Sequence, residues 1–240
     1  MPWVPELFAA PALQHILDDR RRDALVAVPY FDGLVVGDPD PLVESFAGVP
    51  EVYDPVHGRI KGVAPFRDFV AETSAWLREH NTSIEDVERV VLGQRGFEEV
   101  VLHLDTDRGV VDLPVAVVAD RSADGRIEEL RVYFATGPLA GGHTSRLPLL
   151  QPDPALLVPE ELAGALSAFY GPLSALGDAT VEACALVDSG RACALEYNVV
   201  PRRSAEVPRR AGVASFTRAE TGRAAALRVY DDLEPQVSRA

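Results

Sequence analysis

The chain contains nearly the same short segment twice. Residues 125–133 read GRIEELRVY and residues 222–230 read GRAAALRVY, so six of nine positions are identical at a spacing of 97 residues. The alignment extends without a gap to residues 113–134 and 210–231. Self-similarity at a fixed spacing is typical of a repeated structural unit. The sequence therefore predicts a tandem duplication in which both copies contain the same strands.

The periodicity of the first half predicts helices followed by a curled antiparallel sheet. Apolar residues recur at helical spacing over residues 10–28, from Tyr30 to Gly37, and most clearly over residues 63–80. After His80 the period changes to two. Turn signals then separate four expected strands, at 84–93, 97–105, 110–119 and 127–136. Helices first and strands afterwards indicate an α+β fold.

The second half repeats this order with a single helix, at 159–173. Its four expected strands lie at 179–187, 190–200, 211–218 and 223–232. We therefore predict two cone-shaped units in tandem, the second of them truncated. Their expected bounds are a complete domain at 10–137, a Gly- and Pro-rich linker at 138–155 and a truncated domain at 156–235. The apolar sheet faces are expected to pack together as an intramolecular pseudo-dimer, in a chain that is a monomer or a homodimer.

Composition excludes several classes of function. A net charge of −14 disfavours nucleic acid and anionic membranes as partners, because both would repel the chain. The N-terminus lacks the features of a signal peptide and no apolar run approaches about 18 residues, so we expect a cytoplasmic protein. Cys184 and Cys193 are expected to be free thiols. His57 and His143 lie in Gly-flanked loops and are expected on the surface, without metal-ligand spacing.

Two short motifs stand at a fixed spacing within residues 20–136. The segment YFDGLVVGD places Tyr30 eight residues before Asp38, and VYDPV places Asp54 in a strand. Together they resemble ketosteroid isomerase, a member of the SnoaL-like and nuclear-transport-factor-like superfamily. The resemblance implies an apolar pocket between helices and sheet, with Asp54 as catalytic base and Tyr30 as oxyanion donor. The family's second acid aligns near Val117 or Val118 and is therefore missing here.

Such a pair supports proton transfer next to a carbonyl group. The carboxylate removes a proton, and the phenol donates a hydrogen bond to the oxygen on which negative charge develops. Because one donor is missing, isomerase, cyclase and hydrolase reactions all remain open, on a small, largely apolar metabolite and without a metal or organic cofactor. The alternative is that Asp54 only shapes a turn before Pro55 and that Tyr30 is a buried core residue.

A second set of polar residues lies on the predicted sheet. The segment VLHLD places His103 and Asp105 on one strand face, and the turn TDRG lets His103 pair with Asp112 on the next strand. This hairpin resembles the region where epoxide hydrolases and polyketide cyclases of the superfamily carry Asp, Arg and His. In that comparison Arg131 would orient a carboxylate. The alternative interpretation is that His103 is a hydrogen-bonded histidine at a packing interface.

The candidate catalytic residues are Asp54, Tyr30, His103 and Asp112. The candidate substrate-binding residues are Phe66, Trp76, Val117, Arg131 and Tyr133. The second half lacks counterparts of Tyr30 and Asp54 and is expected to be a structural partner, with LEYN at 195–198 matching LHLD at 102–105. A rival hypothesis is a non-catalytic binding or scaffold protein whose pocket is shallow or filled by aromatic side chains.

Overall fold

The structure is a computed structural model that describes residues 30–107, 109–141, 146–170, 179–201, 209–218 and 224–231. The expected helix at 10–28 and the loop histidine His143 lie outside these residues. The chain divides into two compact units, which we call the first unit, residues 1–132, and the second unit, residues 133–240.

Two short helices, α1 (Tyr30–Val36) and α2 (Pro39–Glu44), begin the described chain. Between them Gly37 adopts a φ of +74°, and a Cβ at this position would lie 2.3 Å from the Ser74 hydroxyl oxygen. Only glycine combines this backbone conformation with such a close approach. Asp38 then caps α2, because its side chain accepts a hydrogen bond from the Asp40 backbone N–H at 3.1 Å.

The long helix of the first unit is α3 (Val63–Glu79), close to the predicted 63–80. It ends before Asn81, whose φ of +46° is the left-handed conformation that commonly stops a helix. Its buried face is formed by Phe66, Phe69, Val70, Ser74 and Leu77. Trp76, expected on this face, is only half-buried and stacks on His80 with ring centroids 4.3 Å apart.

The sheet of the first unit has six strands. They are β1 (Glu51–Asp54), β2 (Gly58–Lys61), β3 (Ser83–Leu92), β4 (Arg95–Thr106), β5 (Gly109–Arg121) and β6 (Ile127–Tyr133). Their spatial order is β2-β1-β6-β5-β4-β3, with β1 parallel to β6. The strand that the sequence indicated around Asp54 is therefore one half of a two-stranded hairpin. The last residue of β6, Tyr133, is counted with the second unit.

The two faces of this sheet differ in polarity. Side chains alternate between faces along a strand, and residues directly opposite each other on neighbouring strands share a face. The face that we call the inner face is apolar and buried, as predicted; its central residues are Val100, Leu102, Leu104, Leu113 and Val115. The opposite face, which we call the outer face, carries His103 and Asp112.

The second unit contains a short helix, α4 (Gly137–Ala140), and the longer α5 (Glu160–Tyr170). Its strands are β7 (Thr180–Asp188), β8 (Ala192–Val200), β9 (Arg210–Arg218) and β10 (Ala224–Tyr230), in the order β10-β9-β8-β7. The core between helix and sheet includes Leu162, Leu166, Tyr170, Leu195 and Tyr197. All predicted strands of both units are present, within a few residues of their expected ends.

The elements of the two units keep the 97-residue spacing of the repeat. Helices α3 and α5 begin at residues 63 and 160, β3 and β7 at 83 and 180, β4 and β8 at 95 and 192, and β6 and β10 at 127 and 224. Even the bulges correspond, since the register shifts between Asp86 and Glu88 in β3 and between Ala183 and Ala185 in β7. We call positions 97 residues apart equivalent.

This register corrects one expectation. Residues 195–198, LEYN, are equivalent to residues 98–101 and not to LHLD at 102–105, so the predicted match is wrong by four positions. An even displacement along a strand leaves every side chain on its original face, so the polar–apolar alternation agreed with both alignments. Only the strand ends and the bulge distinguish them.

Both cysteines are free thiols, as expected: Cys193 is buried and Cys184 half-buried. None of the helices in the described part of the chain has the length and apolar character needed to cross a bilayer. The same residues contain no group of three or more His, Cys, Asp or Glu side chains that could hold a metal ion.

Candidate functional site

The β1–β2 hairpin places Asp54 at the last position before its turn. Asp54 is paired with Gly58, and the three residues between them form the loop. The Oδ1 atom of Asp54 accepts hydrogen bonds from the backbone N–H groups of Val56, at 2.8 Å, and His57, at 2.9 Å. Gly58 closes the loop with a φ of +71°. Asp54 therefore has the turn-forming role that its position before proline suggested.

The same carboxylate is also buried, with 8% of the residue exposed. In the register of β1 with β6, Val52 lies opposite Leu130 and Tyr53 lies opposite Arg131. By strand alternation Asp54 shares the face of Val52, a fully buried residue. Within the described residues, Oδ1 takes all the hydrogen bonds of this carboxylate and Oδ2 takes none. The turn therefore fixes the position of one carboxylate oxygen.

His57 contacts Asp54, although the sequence placed it on a surface loop. Its Nδ1 atom lies 3.0 Å from Asp54 Oδ1, its Nε2 atom lies 3.9 Å from a Glu72 carboxylate oxygen, and its ring packs against Phe69 at 5.2 Å. The hydrogen bond to Asp54 raises the pKa of His57 above its usual value, against the opposing effect of partial burial. The signal in the sequence was the three-residue spacing across a tight D-P-V-H turn.

Tyr30, at the start of α1, is 1% exposed. Its hydroxyl group has no hydrogen-bond partner among the described residues. Burial, followed by the negative charge of Asp54, raises the pKa of Tyr30 well above its usual value. The phenol is therefore protonated and acts as a hydrogen-bond donor at neutral pH. An unpaired buried polar group costs about 1–3 kcal/mol, so a hydroxyl kept in this state is a feature that requires a reason.

The apolar candidates near this pair lie inside the first unit. Phe66 is fully buried on α3 and meets Phe46 edge-to-face at 5.3 Å. Val117 is buried on the inner face, directly opposite Glu98 on β4. Glu98 is itself buried and forms an ion pair with Arg89. An inner-face carboxyl thus lies beside the position where the second acid is missing, and sequence comparison missed it because it belongs to the neighbouring strand.

His103 and Asp112 form the pair that the turn between β4 and β5 suggested. His103 Nδ1 lies 2.8 Å from Asp112 Oδ1, and its Nε2 lies 3.2 Å from a Glu85 oxygen. The hydrogen bond to Asp112 raises the pKa of His103. The Asp112 side chain is 68% exposed, and the pair lies on the outer face. The structure therefore separates this pair from Asp54, on the opposite face of the same sheet.

Arg131 and Tyr133 also lie on the outer face of β6. Arg131 is fully buried and its guanidinium group donates to Asp120 at 2.7 Å and to Glu129. Burial alone would raise the pKa of Asp120, but the hydrogen bond and charge of Arg131 lower it. The Tyr133 hydroxyl donates to a Glu196 carboxylate oxygen at 2.6 Å. Both side chains are engaged by carboxylates of the chain itself, away from Asp54.

No protein-family model matches this chain, and no curated protein matches it. Solved structures do match it. One is SalBIII, an epoxide hydrolase/cyclase-like enzyme with a role in pyran ring formation in the polyether salinomycin; it is 21% identical, covers 45% of this chain and 87% of its own, and has a TM-score of 0.38.

Two further matches concern proteins without an assigned activity. An NTF2-like protein of unknown function from Cytophaga hutchinsonii is 16% identical, covers 41% of this chain and 86% of its own, and has a TM-score of 0.36. A hypothetical protein with a ketosteroid isomerase-like fold from Catenulispora acidiphila, in complex with trimethylamine, is 18% identical, covers 43% and 79%, and has a TM-score of 0.36. Each of these three similarities extends over less than half of this chain.

Proposed function

We propose that the first unit is a small-molecule enzyme of the isomerase, cyclase or hydrolase type. It would use general acid–base catalysis on an uncharged, largely apolar metabolite that carries a carbonyl group. Asp54 is the base, Tyr30 is the oxyanion donor and His57 positions the Asp54 carboxylate. The His103–Asp112 pair is the weaker candidate, because it is solvent-exposed on the outer face.

One observation carries this proposal: a buried phenol without a partner among the described residues stands within the electrostatic field of a buried carboxylate. The two groups come from different elements, α1 and the β1–β2 hairpin, so the arrangement is not a local accident of one turn. A structural tyrosine in a core normally satisfies its hydroxyl. A donor held ready for an oxygen that is not part of the chain explains the exception.

The chemistry follows from these positions. Asp54 Oδ2 takes a proton from the carbon next to the substrate carbonyl, and the C–H electron pair forms an enolate whose oxygen accepts a hydrogen bond from Tyr30. Protonated Asp54 then returns the proton to the same or another carbon of the conjugated system. His57 and two backbone N–H groups hold Oδ1, which keeps Oδ2 in one orientation.

The test is proton exchange with solvent, which needs no knowledge of the natural product. A panel of uncharged β,γ-unsaturated ketones is incubated in D₂O with the full chain, and deuterium incorporation is followed by mass spectrometry. We expect Tyr30→Phe to lower the exchange rate by about 10²–10³, as loss of one oxyanion donor does. Asp54→Asn, which removes the base, should lower it by at least about 10².

Asp54→Asn retains an oxygen acceptor for the turn, so its fold is preserved and the loss reports chemistry. Asp105→Asn is the matched control, because it removes an exposed carboxylate that contacts only the Asn81 side chain. Exchange that is equally fast in wild type and Asp54→Asn would reject the proposal. Exchange that disappears on His103→Gln and persists in Asp54→Asn would transfer the function to the outer face.

A non-catalytic binding protein is the second candidate, and one observation favours it. All hydrogen bonds of Asp54 within the described residues serve its own hairpin. In that case Tyr30 would donate to a bound ligand, and Tyr30→Phe would weaken binding without any proton exchange in the wild type. The same panel of ketones therefore distinguishes the two functions.

We also propose that the two units arose by tandem duplication and that the second copy was shortened at its N-terminal side. The equivalent positions of one helix, the strands and a bulge support this origin. The expected pseudo-dimer, in which the two sheets cover each other within one chain, remains part of the proposal. Sedimentation of the full chain as a monomer would support it, and a stable homodimer would favour pairing between chains.

A further inference from the structure

The second unit contains a cavity of its own, of about 430 Å³, between α5 and the edge strand β7. Ligand-binding cavities in proteins typically measure about 300–1,000 Å³. The residues that line it are Val158, Ala163, Leu166, Ser167, Tyr170, Ala179, Thr180, Val181, Ala183 and Leu195. They come from α5, from β7 and β8, and from the segments before them. The sequence predicted only a structural role for the second unit, and a cavity of this size was not expected there.

Equivalent residues of the two units explain the space. On α3 of the first unit, Phe66 and Val70 are fully buried. The equivalent positions on α5 are Ala163 and Ser167, which are small, exposed and part of the cavity lining. The second unit has therefore exchanged a phenylalanine and a valine for alanine and serine at the point where the helix faces the sheet. The smaller side chains leave volume beside α5 that larger ones at these positions would fill.

The chemistry of the lining restricts what the cavity can hold. Among the described residues that line it none is charged, so a charged ligand would lose hydration there without gaining a partner from them. Ser167 has no hydrogen-bond partner among the described residues and can pair with one polar atom of a ligand. At the inner end the Tyr170 hydroxyl is bonded to the Tyr197 hydroxyl, at 2.7 Å, and to Asp231. Burial, followed by the charges of Tyr197 and Asp231, raises the pKa of Tyr170, so the phenol keeps its proton.

We infer that the second unit is itself a binding site, for a small uncharged and largely apolar molecule with one hydrogen-bonding oxygen or nitrogen. The inference is independent of catalysis at Asp54, because no residue of the cavity belongs to the first unit. A chain with both sites would combine a catalytic unit with a second, non-catalytic unit that binds a ligand of related polarity.

The probe for this site is N-phenyl-1-naphthylamine, an uncharged dye whose fluorescence rises in apolar surroundings. It is titrated into the full chain, and into variants that restore the first unit's residues, Ala163→Phe and Ser167→Val. We expect Ala163→Phe to raise the dissociation constant at least about tenfold, which is about 1.4 kcal/mol. Ser167→Val fills less of the cavity and should therefore raise the dissociation constant by a smaller factor. The matched control is Ala168→Phe, which adds the same ring to an exposed alanine of α5 outside the cavity.

A charged relative of the dye tests the ligand class. The sulfonate 8-anilino-1-naphthalenesulfonate has a similar shape, and we expect it to bind the site at least about tenfold more weakly. Equal affinity for the two dyes would overturn the assignment of an uncharged ligand. Three results with the neutral dye would also overturn the inference: no binding to the wild type, unchanged binding to Ala163→Phe, or equal weakening in Ala163→Phe and Ala168→Phe. Circular dichroism checks that each variant is folded.

Asp54→Asn separates this inference from the proposed function. We expect this variant to bind the neutral dye as the wild type does, whatever happens to proton exchange. If Asp54→Asn or Tyr30→Phe abolishes dye binding while Ala163→Phe leaves it intact, the dye occupies the first unit and the inference is rejected. Loss of proton exchange with retained dye binding would support both proposals independently.

Discussion

The first and second units use the same backbone positions for different side-chain volumes. In the first unit, Val100 on β4 lies opposite Val115 on β5. The equivalent pair in the second unit is Tyr197 opposite Gly212. A Cβ atom on Gly212 would lie 2.9 Å from the Tyr197 ring, so the glycine is needed for the tyrosine. Where the first unit pairs two valines, the second unit pairs a tyrosine with a glycine, and the strand pairing is the same.

The same comparison applies to a polar contact. In the first unit Arg131 is fully buried and bonded to Asp120. The equivalent contact in the second unit joins Arg228 to the Thr217 hydroxyl at 3.1 Å, and Arg228 is partly exposed. Where the first unit has a buried ion pair, the second unit has a hydrogen bond from a guanidinium group to an uncharged hydroxyl. The backbone pattern thus survives a change in charge as well as a change in volume.

What these differences teach is that the strand register and the side-chain chemistry are separable. The register follows from alternation, turns and a bulge, which both units share. The chemistry follows from a few substitutions at equivalent positions, such as Phe66 and Ala163. Variants that exchange these residues, or remove them in one unit at a time, test this separation.

The largest effect is expected from the two arginines. Arg131→Met removes the buried cation that Asp120 and Glu129 share, although Asp120 keeps the partly exposed Arg95 at 2.8 Å. We expect this variant to lower the free energy of unfolding by about 3 kcal/mol. Arg228→Met removes a partly exposed guanidinium that donates to a hydroxyl, and we expect a smaller loss, of about 1 kcal/mol. Urea unfolding measures both. If both variants lost the same free energy of unfolding, Arg131 and Arg228 would have equivalent electrostatic environments, and the comparison would fail.

An intermediate effect is expected at Gly212. Gly212→Val forces the Tyr197 ring to move and should cost about 1–3 kcal/mol through overpacking. The double variant Tyr197→Val with Gly212→Val recreates the pair found at Val100 and Val115. We expect it to be more stable than the sum of the single changes by about 1 kcal/mol, in a double-mutant cycle of unfolding free energies. Simple additivity would show that the ring does not depend on the glycine.

The smallest effect is expected at His57, and it depends on pH. Because Asp54, with a contribution from Glu72, raises the pKa of folded His57 above the unfolded value of about 6.5, protonated His57 stabilises the fold. This contribution is complete below the unfolded pKa and is lost as the pH rises through the folded pKa. The stability difference between wild type and His57→Gln should therefore be largest below about pH 6.5 and shrink as the pH rises above it. A difference that grows over this range would contradict the ion pair.

Much of this molecule was predictable from local pattern. The alternation of apolar residues indicated all eight strands of the β3–β6 and β7–β10 sets, and helical spacing indicated α3 and α5. Asp54 and Tyr30 were identified through a resemblance, and both are buried. The pairing of His103 with Asp112 followed from the turn between their strands.

Other features escaped because they depend on neighbours that are distant in sequence. Glu98 reaches the inner face beside Val117 only because β4 and β5 pair in one particular register. His57 lies in an exposed loop, as expected, but its contact with Asp54 was not predicted, because flanking glycines indicate a loop and not the direction of a side chain. The match of LEYN failed because alternation is unchanged by a shift of two or four residues.

By itself, the sequence determined that the same strand set occurs twice and which side chains alternate on it, because period and turn signals are properties of neighbouring residues. Only the tertiary structure decided that Ala163 and Ser167 border a cavity, that Arg131 is sealed among carboxylates and that the Tyr30 hydroxyl is left without a partner in the described chain. Burial and empty volume are set by which elements pack together, and that information lies in contacts between residues far apart in the chain.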